Sequence, residues 1–275
     1  MKHRFAVVAA IGATIALCSA GIHAAGHSGD KDFPGMVLEE GQTMADVGRG
    51  ERLSRPAPLA LEALQSDDQV SVELADMIVL KPVAVEPDVG VVFYHGAETD
   101  PRVYGRPLRA LAEAGYLVVA VTMPRYLAVM APDKADEVLA AFPGIESWTI
   151  IGHSMGGAMA AKYAYEHPDK VNGVLLWDAY PPRDVDLTDA VFVVGQIYRT
   201  GRDGEVPDNF RKAEHLLPDG ALLTAIPDGE HTYFGDYILA SHRPVPTTSL
   251  TVDEQLEVVV LATLGFLNIV EAQVN

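Results

Sequence analysis

Short, wholly apolar runs recur along this chain between amphipathic stretches, and that pattern leaves few folds open. Residues 89–94 and 116–121 are too short for helices and too uniformly apolar to show a face to water, and 148–151 and 171–176 follow the same pattern but for Thr149 and Asn172. Runs of this kind are interior strands of a parallel sheet, buried on both sides. Helical patterns separate them. One starts near Pro107 and places Leu108, Leu111 and Ala112 on one face. A second covers residues 133–142, with Ala135, Val138, Leu139 and Phe142 on one side. A third runs from about Gly156 to His167. Further strands are predicted at residues 190–194 and 221–226, with a helix at 208–217. A last helix starts at about Val252, where Thr251 and Glu254 have capping-box spacing. Val70, Val72 and Leu74 alternate with polar residues like a half-buried edge strand, and Ile78, Val79 and Leu80 continue that region. The predicted class is α/β, a mostly parallel central sheet with helices on both faces. Right-handed crossovers then bring the strand C-termini to one edge, where active sites of such sheets form.

The first residues carry a different pattern. Lys2 and Arg4 precede an apolar run over residues 5–17, and small residues follow at Ser19, Ala20, Gly21, Ala24 and Ala25. This is the layout of an export signal, and the run falls short of the ~18–20 residues that span a bilayer. The expected division is a signal peptide at 1–24, a polar N-terminal arm or linker at 25–66, and the α/β domain at 67–275. The expected location is secreted or periplasmic, with no stable membrane insertion once the signal is removed. His23 and His27 sit near the start of that arm, and a solvated tail rather than a metal site is expected there. Cys18 is the one cysteine, so removal of the signal leaves no thiol for a disulfide, a nucleophile or a metal site. The formal charge of -18 repels phosphates and excludes nucleic acid as an ordinary partner.

The chemistry-bearing segment is Gly152-His153-Ser154-Met155-Gly156, a G-x-S-x-G directly after a predicted strand and before a predicted helix. In that setting the turn is so tight that only small residues fit two positions on either side of the serine. The Ser154 hydroxyl is thereby exposed at the sheet edge, and the helix N-terminus faces the reacting centre. A hydroxyl nucleophile needs a base. His231, four residues beyond Pro227, fits a loop at the same edge; His215, inside a predicted helix, and His242, in a Pro-rich loop, are the competitors. The imidazole in turn needs a carboxylate. Asp203 is the first choice on chain order, and Asp178, directly after Leu176-Trp177, is the alternative. Two backbone amides are needed to hold an oxyanion, and Met155 and Ala97, the latter in His95-Gly96-Ala97, stand where the mechanism requires them.

The chain resembles the α/β-hydrolase superfamily, in particular the small bacterial proteins of α/β-hydrolase family 5. The resemblance covers about residues 70–270 and rests on Val91-Val92-Phe93-Tyr94-His95-Gly96-Ala97, Ala131-Pro132-Asp133-Lys134-Ala135-Asp136-Glu137-Val138, Ile151-Gly152-His153-Ser154-Met155-Gly156-Gly157-Ala158, His167-Pro168-Asp169-Lys170-Val171 and His231-Thr232-Tyr233-Phe234-Gly235-Asp236-Tyr237. His95-Gly96 stands where that family usually has Pro-Gly. The resemblance implies a serine triad of Ser154, Asp203 and His231, and chemistry of that kind calls for no metal or cofactor. The expected activity is hydrolysis of a small-molecule ester through an acyl-enzyme. An acyltransferase, a lyase, or a secreted binding protein on the same fold are the alternatives. The short gap between the strands ending at Leu176 and starting at Ala190 leaves no room for a large lid, so an open cleft and a compact acyl group are expected. Tyr104, Tyr180, Tyr233 and Phe234 are either cleft walls or core.

Overall fold

The computed structural model describes residues 53–240 and 245–274. Two elements precede the domain expected to begin at residue 67: β1 (Arg55–Pro56) and α1 (Pro58–Glu62). The sheet strands and helices then follow as β2 (Val70–Leu74), β3 (Met77–Pro82), β4 (Val89–Tyr94), α2 (Gly105–Glu113), β5 (Leu117–Val121), α3 (Ala135–Ala141), β6 (Ser147–His153), α4 (Met155–Glu166), β7 (Gly173–Trp177), β8 (Val193–Thr200), α5 (Asp208–Ala213), β9 (Leu222–Pro227), β10 (Tyr237–Ile238) and α6 (Val252–Val274).

Eight strands form one sheet in the order β2-β3-β5-β4-β6-β7-β8-β9. β3 pairs antiparallel with both β2 and β5, and every other pairing in this sheet is parallel. The apolar runs explain the layering. Side chains along a strand alternate between faces, so Val91, Phe93, Val118, Ala120, Leu175 and Trp177 reach one core with Leu108, Leu111, Val259, Phe266 and Leu267. Val92, Tyr94, Val119, Val121, Val174 and Leu176 reach the other, with Ala135, Val138, Ala160, Ala161 and Ala164. Helices α2 and α6 therefore cover one face, and α3 and α4 the other. The capping box at α6 is formed: the Thr251 amide donates to Glu254 Oε2 at 2.8 Å, and the Glu254 amide to Thr251 Oγ1 at 3.2 Å.

The strand expected at residues 190–194 begins at Val193 and runs on to Thr200. Gln196, Tyr198 and Arg199 break its apolar run, but the register with β7 on one side and β9 on the other carries the ladder through them. The Gln196 amide is satisfied by donating to the Ala179 carbonyl at 2.7 Å. Residues 178–192, where a lid would be inserted, lie down on the body: Ala179, Val185 and Leu187 are buried, and the Leu187 amide donates to the Leu216 carbonyl. No large lid is present among the described residues.

Residues 53–66, the end of the stretch expected to be a polar arm, are part of the body. β1 pairs antiparallel with β10. The Ser54 amide donates to the Glu98 carbonyl, the Asp100 amide donates to the Ser54 carbonyl, and Leu53, Ala60 and Leu64 are buried. The expected signal peptide, His23, His27, Cys18 and His242 lie outside the described residues.

Candidate active site

Parallel strands β4, β6, β7 and β9 deliver their C-terminal ends to one edge, and each contributes a loop to a common centre. At the end of β6 the chain turns into α4 at Ser154, whose backbone stands at φ 56 and ψ -123. A serine held in that region is strained, and strain of this kind persists only where the surroundings enforce it. They do: a Cβ on Gly152 would collide with the Gly156 carbonyl, and one on Gly156 with the carbonyl oxygen of Tyr94. The turn is the tight strand-to-helix bend that the sequence pattern predicts. Met155 is the first residue of α4, and the first amides of a helix have no carbonyl partner within it.

His231 comes from the turn after β9. Its Nε2 lies 3.0 Å from Ser154 Oγ, and its Nδ1 lies 2.5 Å from Asp178 Oδ2. Because an ionised carboxylate only accepts, Nδ1 carries the proton and Nε2 faces the hydroxyl as acceptor, an assignment that follows from the hydrogen-bond network. The loop is fixed from below. Gln255, fully buried on α6, accepts from the Glu230 amide and donates to the Glu230 carbonyl, each at 2.7 Å.

Asp178 follows β7 directly and has φ 41. Its side chain is 1% exposed. Burial alone pushes its carboxyl up; the hydrogen bond and charge of His231 and the nearby Arg199 outweigh that and hold it below the ordinary range. Asp203, the carboxylate expected first from chain order and from the resemblance, is not part of this arrangement. It lies in an exposed turn past the end of the longer β8, where its Oδ1 accepts from the Glu205 amide at 3.1 Å. The alternative, Asp178, is the residue that meets the imidazole. The reason is the length of β8, which carries the chain beyond the edge before Asp203 is reached.

The loop after β4 is held by two buried side chains. His95 is fully buried; its Nδ1 donates to the Gly96 carbonyl at 2.8 Å, and its Nε2 accepts from the Met123 amide at 3.0 Å. Burial pushes its pKa down to about 4 and keeps it neutral. Tyr104 accepts from the Gly96 amide at 3.1 Å and from Tyr237 Oη at 2.7 Å, and it donates to His153 Nδ1 at 2.8 Å. His153 Nδ1 is thus engaged with Tyr104 rather than with the nucleophile. Neither His95 nor Tyr104 is singled out for this role by the sequence; the visible signal is a polar residue ending an apolar run. Of the four aromatic residues considered as walls, Tyr104 and Phe234 are fully buried, and Tyr180 and Tyr233 are half-buried. His215 is exposed on a 3-10 turn far down the chain from this edge.

Gly96, Ala97, Thr99, His153, Ser154, His231, Thr232 and Tyr237 line a cleft of about 220 Å³, its open mouth included. Ala97 and Ser154 share this cleft. Among the described residues, no group of three or more His, Cys, Asp or Glu side chains is gathered as a metal ion would require.

A family model described as the alpha/beta hydrolase family matches residues 90–241, more than half of the chain. Among curated proteins, one from Mycoplasma genitalium with the provisional name proline iminopeptidase is 30% identical over 77 residues, 28% of this chain and 25% of that protein. The match therefore spans about a quarter of the relative's length. Among solved structures, a carboxylesterase of Nitrososphaera gargenis is 14% identical, with 80% of this chain and 99% of that one covered and a TM-score of 0.53. A protein of Thermoplasma acidophilum described as a predicted CIB-like hydrolase is 15% identical, with 70% and 98% covered and a TM-score of 0.52. At such identities the likeness is one of fold, and a fold hosts many reactions.

Proposed function

Because this chain belongs to the alpha/beta hydrolase family, we propose that it is a serine hydrolase cleaving small-molecule carboxylic esters with a compact acyl group. The observation that carries the proposal is the continuous line from Ser154 Oγ through His231 to Asp178, at 3.0 and 2.5 Å. Asp178 takes the place of Asp203 as the proposed acid.

In this reading His231 Nε2 takes the Ser154 proton as Oγ attacks the ester carbonyl carbon. Asp178 stabilises the imidazolium. The Met155 and Ala97 amides donate to the oxyanion. The carbon–oxygen bond to the leaving alcohol breaks, and that alcohol takes the proton from His231. Water then attacks the acyl-enzyme and passes a proton to His231, which returns it to Ser154 as the acid leaves. The small cleft and the packed-down residues 178–192 support a compact acyl group over a long lipid chain.

The apolar run behind Lys2 and Arg4 and the small residues after it support export, with a mature protein in the periplasm or outside the cell. N-terminal sequencing of the exported protein tests this, and an uncut Met1 terminus would count against it. The activity is tested by fluorophosphonate labelling of the wild-type protein and of Ser154→Ala, with nitrophenyl esters of rising chain length as substrates. Labelling of the wild type alone, with turnover falling as the acyl chain lengthens, is expected. Equal labelling of the folded Ser154→Ala protein would overturn the proposal.

A further inference from the structure

Arg199 meets the same carboxylate as His231. Its Nε lies 2.8 Å from Asp178 Oδ2, the oxygen that His231 Nδ1 also approaches, and its backbone amide donates to Asp178 Oδ1 at 3.1 Å. The placement follows from the sheet. Trp177 is in register with Ile197, and the Asp178 amide donates to the Ile197 carbonyl at 2.7 Å, so the end of β7 lies against β8 two residues before Arg199. On the other side Arg199 is in register with Ile226 of β9, and the chain returns over it towards His231 through Gly229, where a Cβ would press on the Arg199 Cβ. Arg199 therefore stands between the strand that carries the acid and the loop that carries the base.

We propose that Arg199 is a positioning residue of the site, holding both oxygens of the Asp178 carboxylate so that Oδ2 meets His231 Nδ1. The inference rests on the hydrolase reading of Ser154, His231 and Asp178. An exposed ion pair contributes little because water competes for both partners, but here the carboxylate is 1% exposed while the Arg199 side chain is 40% exposed. Removing one partner of such a pair leaves the other charge buried and uncompensated. With the guanidinium gone, Oδ1 keeps its amide donor and Oδ2 keeps only the imidazole, so the carboxylate loses the second donor that fixes Oδ2 against His231. A displacement of this kind lowers the rate.

The fixed charge also acts on protonation. The charged and titratable groups about the pair are Arg199 itself, His153, whose ring lies 4.6 Å from that of His231, and Glu230 and Asp228 on the His231 loop, with Asp228 paired to Arg202. Arg199 is one of the charges that hold the Asp178 carboxyl low, so its removal raises the pH at which Asp178 takes up a proton. The acid limb of the activity profile then moves to higher pH.

The test uses Arg199→Met, Arg199→Gln and Arg199→Lys in the full chain, with Tm as the folding control. Arg199→Met is expected to lower kcat on a short nitrophenyl ester roughly 10- to 100-fold, with KM within about threefold, and to move the acid limb up. Arg199→Gln, which restores a donor without charge, should regain rate but keep the displaced limb. Arg199→Lys should regain the limb. A readout independent of turnover is the downfield proton resonance of His231 Nδ1–H, identified by its loss in His231→Gln. It should broaden or move in Arg199→Met. Wild-type kcat, acid limb and resonance in a folded Arg199→Met protein would overturn the inference while leaving the hydrolase reading in place. A wild-type protein with no turnover and no Ser154 labelling would overturn the hydrolase reading instead, and the resonance would still report whether Arg199 positions the carboxylate.

Discussion

β7 and β8 lie side by side, run the same way, and are each followed by an aspartate. Asp178 comes at once after β7, inside the packed edge, where His231 Nδ1, the Arg199 guanidinium and the Arg199 amide all donate to it. Asp203 comes three residues after β8, in a turn closed by the Gly201 amide on the Glu205 carbonyl and the Gly204 amide on the Gly201 carbonyl. Every residue from 201 to 205 is exposed. Both satisfy the order serine, acid, histidine along the chain. What separates them is depth: one strand stops where its next side chain is walled in, the other carries its chain out to water.

The sharpest break of this contrast is a pair of charge-removing substitutions. Asp178→Asn is expected to lower kcat by about 10⁴-fold, whereas Asp203→Asn should stay within about twofold; steady-state kinetics on one short ester decides, and the reverse ranking would put the acid after β8. The contrast extends to the end of β4, where His95 is walled in as Asp178 is. Its imidazole takes a proton at about 4 in the folded protein against 6.5 when exposed, so the unfolded chain binds more protons between these values. The contribution of His95 to stability should fall by roughly 3 kcal/mol as pH drops from 6.5 to 4. Urea titrations across that range measure it, and His95→Gln should flatten the curve. A smaller effect is expected under the His231 loop. Gln255→Leu strips the side-chain partners from the Glu230 N–H and C=O and should cost about 1–3 kcal/mol, read as a lower Tm; an unchanged Tm would mean that water replaces the amide. Least of all, Asp203→Ala should change stability by no more than about 0.5 kcal/mol.

The sheet was legible because interior strands leave a plain mark: residues 89–94 and 117–121 are apolar without interruption, and 148–151 are broken only by Thr149. The bend at Ser154 was legible because its glycines are required by collisions with Gly156 and Tyr94, and such requirements are written in single residues. The length of β8 was not. Gln196 and Arg199 look like loop residues, and only the Ala179 carbonyl and the Asp178 carboxylate, both from the neighbouring strand end, give them a place inside. Gln255 was hidden likewise, a polar residue on the buried face of α6 whose partner is a backbone unit 25 residues away. Long-range polar pairs of this sort leave no period in the sequence.

The strand pairing of Arg55 and Pro56 with Tyr237 and Ile238 has a practical consequence for anyone making this protein. Ser54 bonds to residues 98 and 100, beside the Ala97 loop, while Ala57 bonds to Asp236, beside the His231 loop. A recombinant version trimmed to start at residue 67 would lose a segment that laces those two loops together, and a weak enzyme obtained that way would reflect the cut rather than the chemistry.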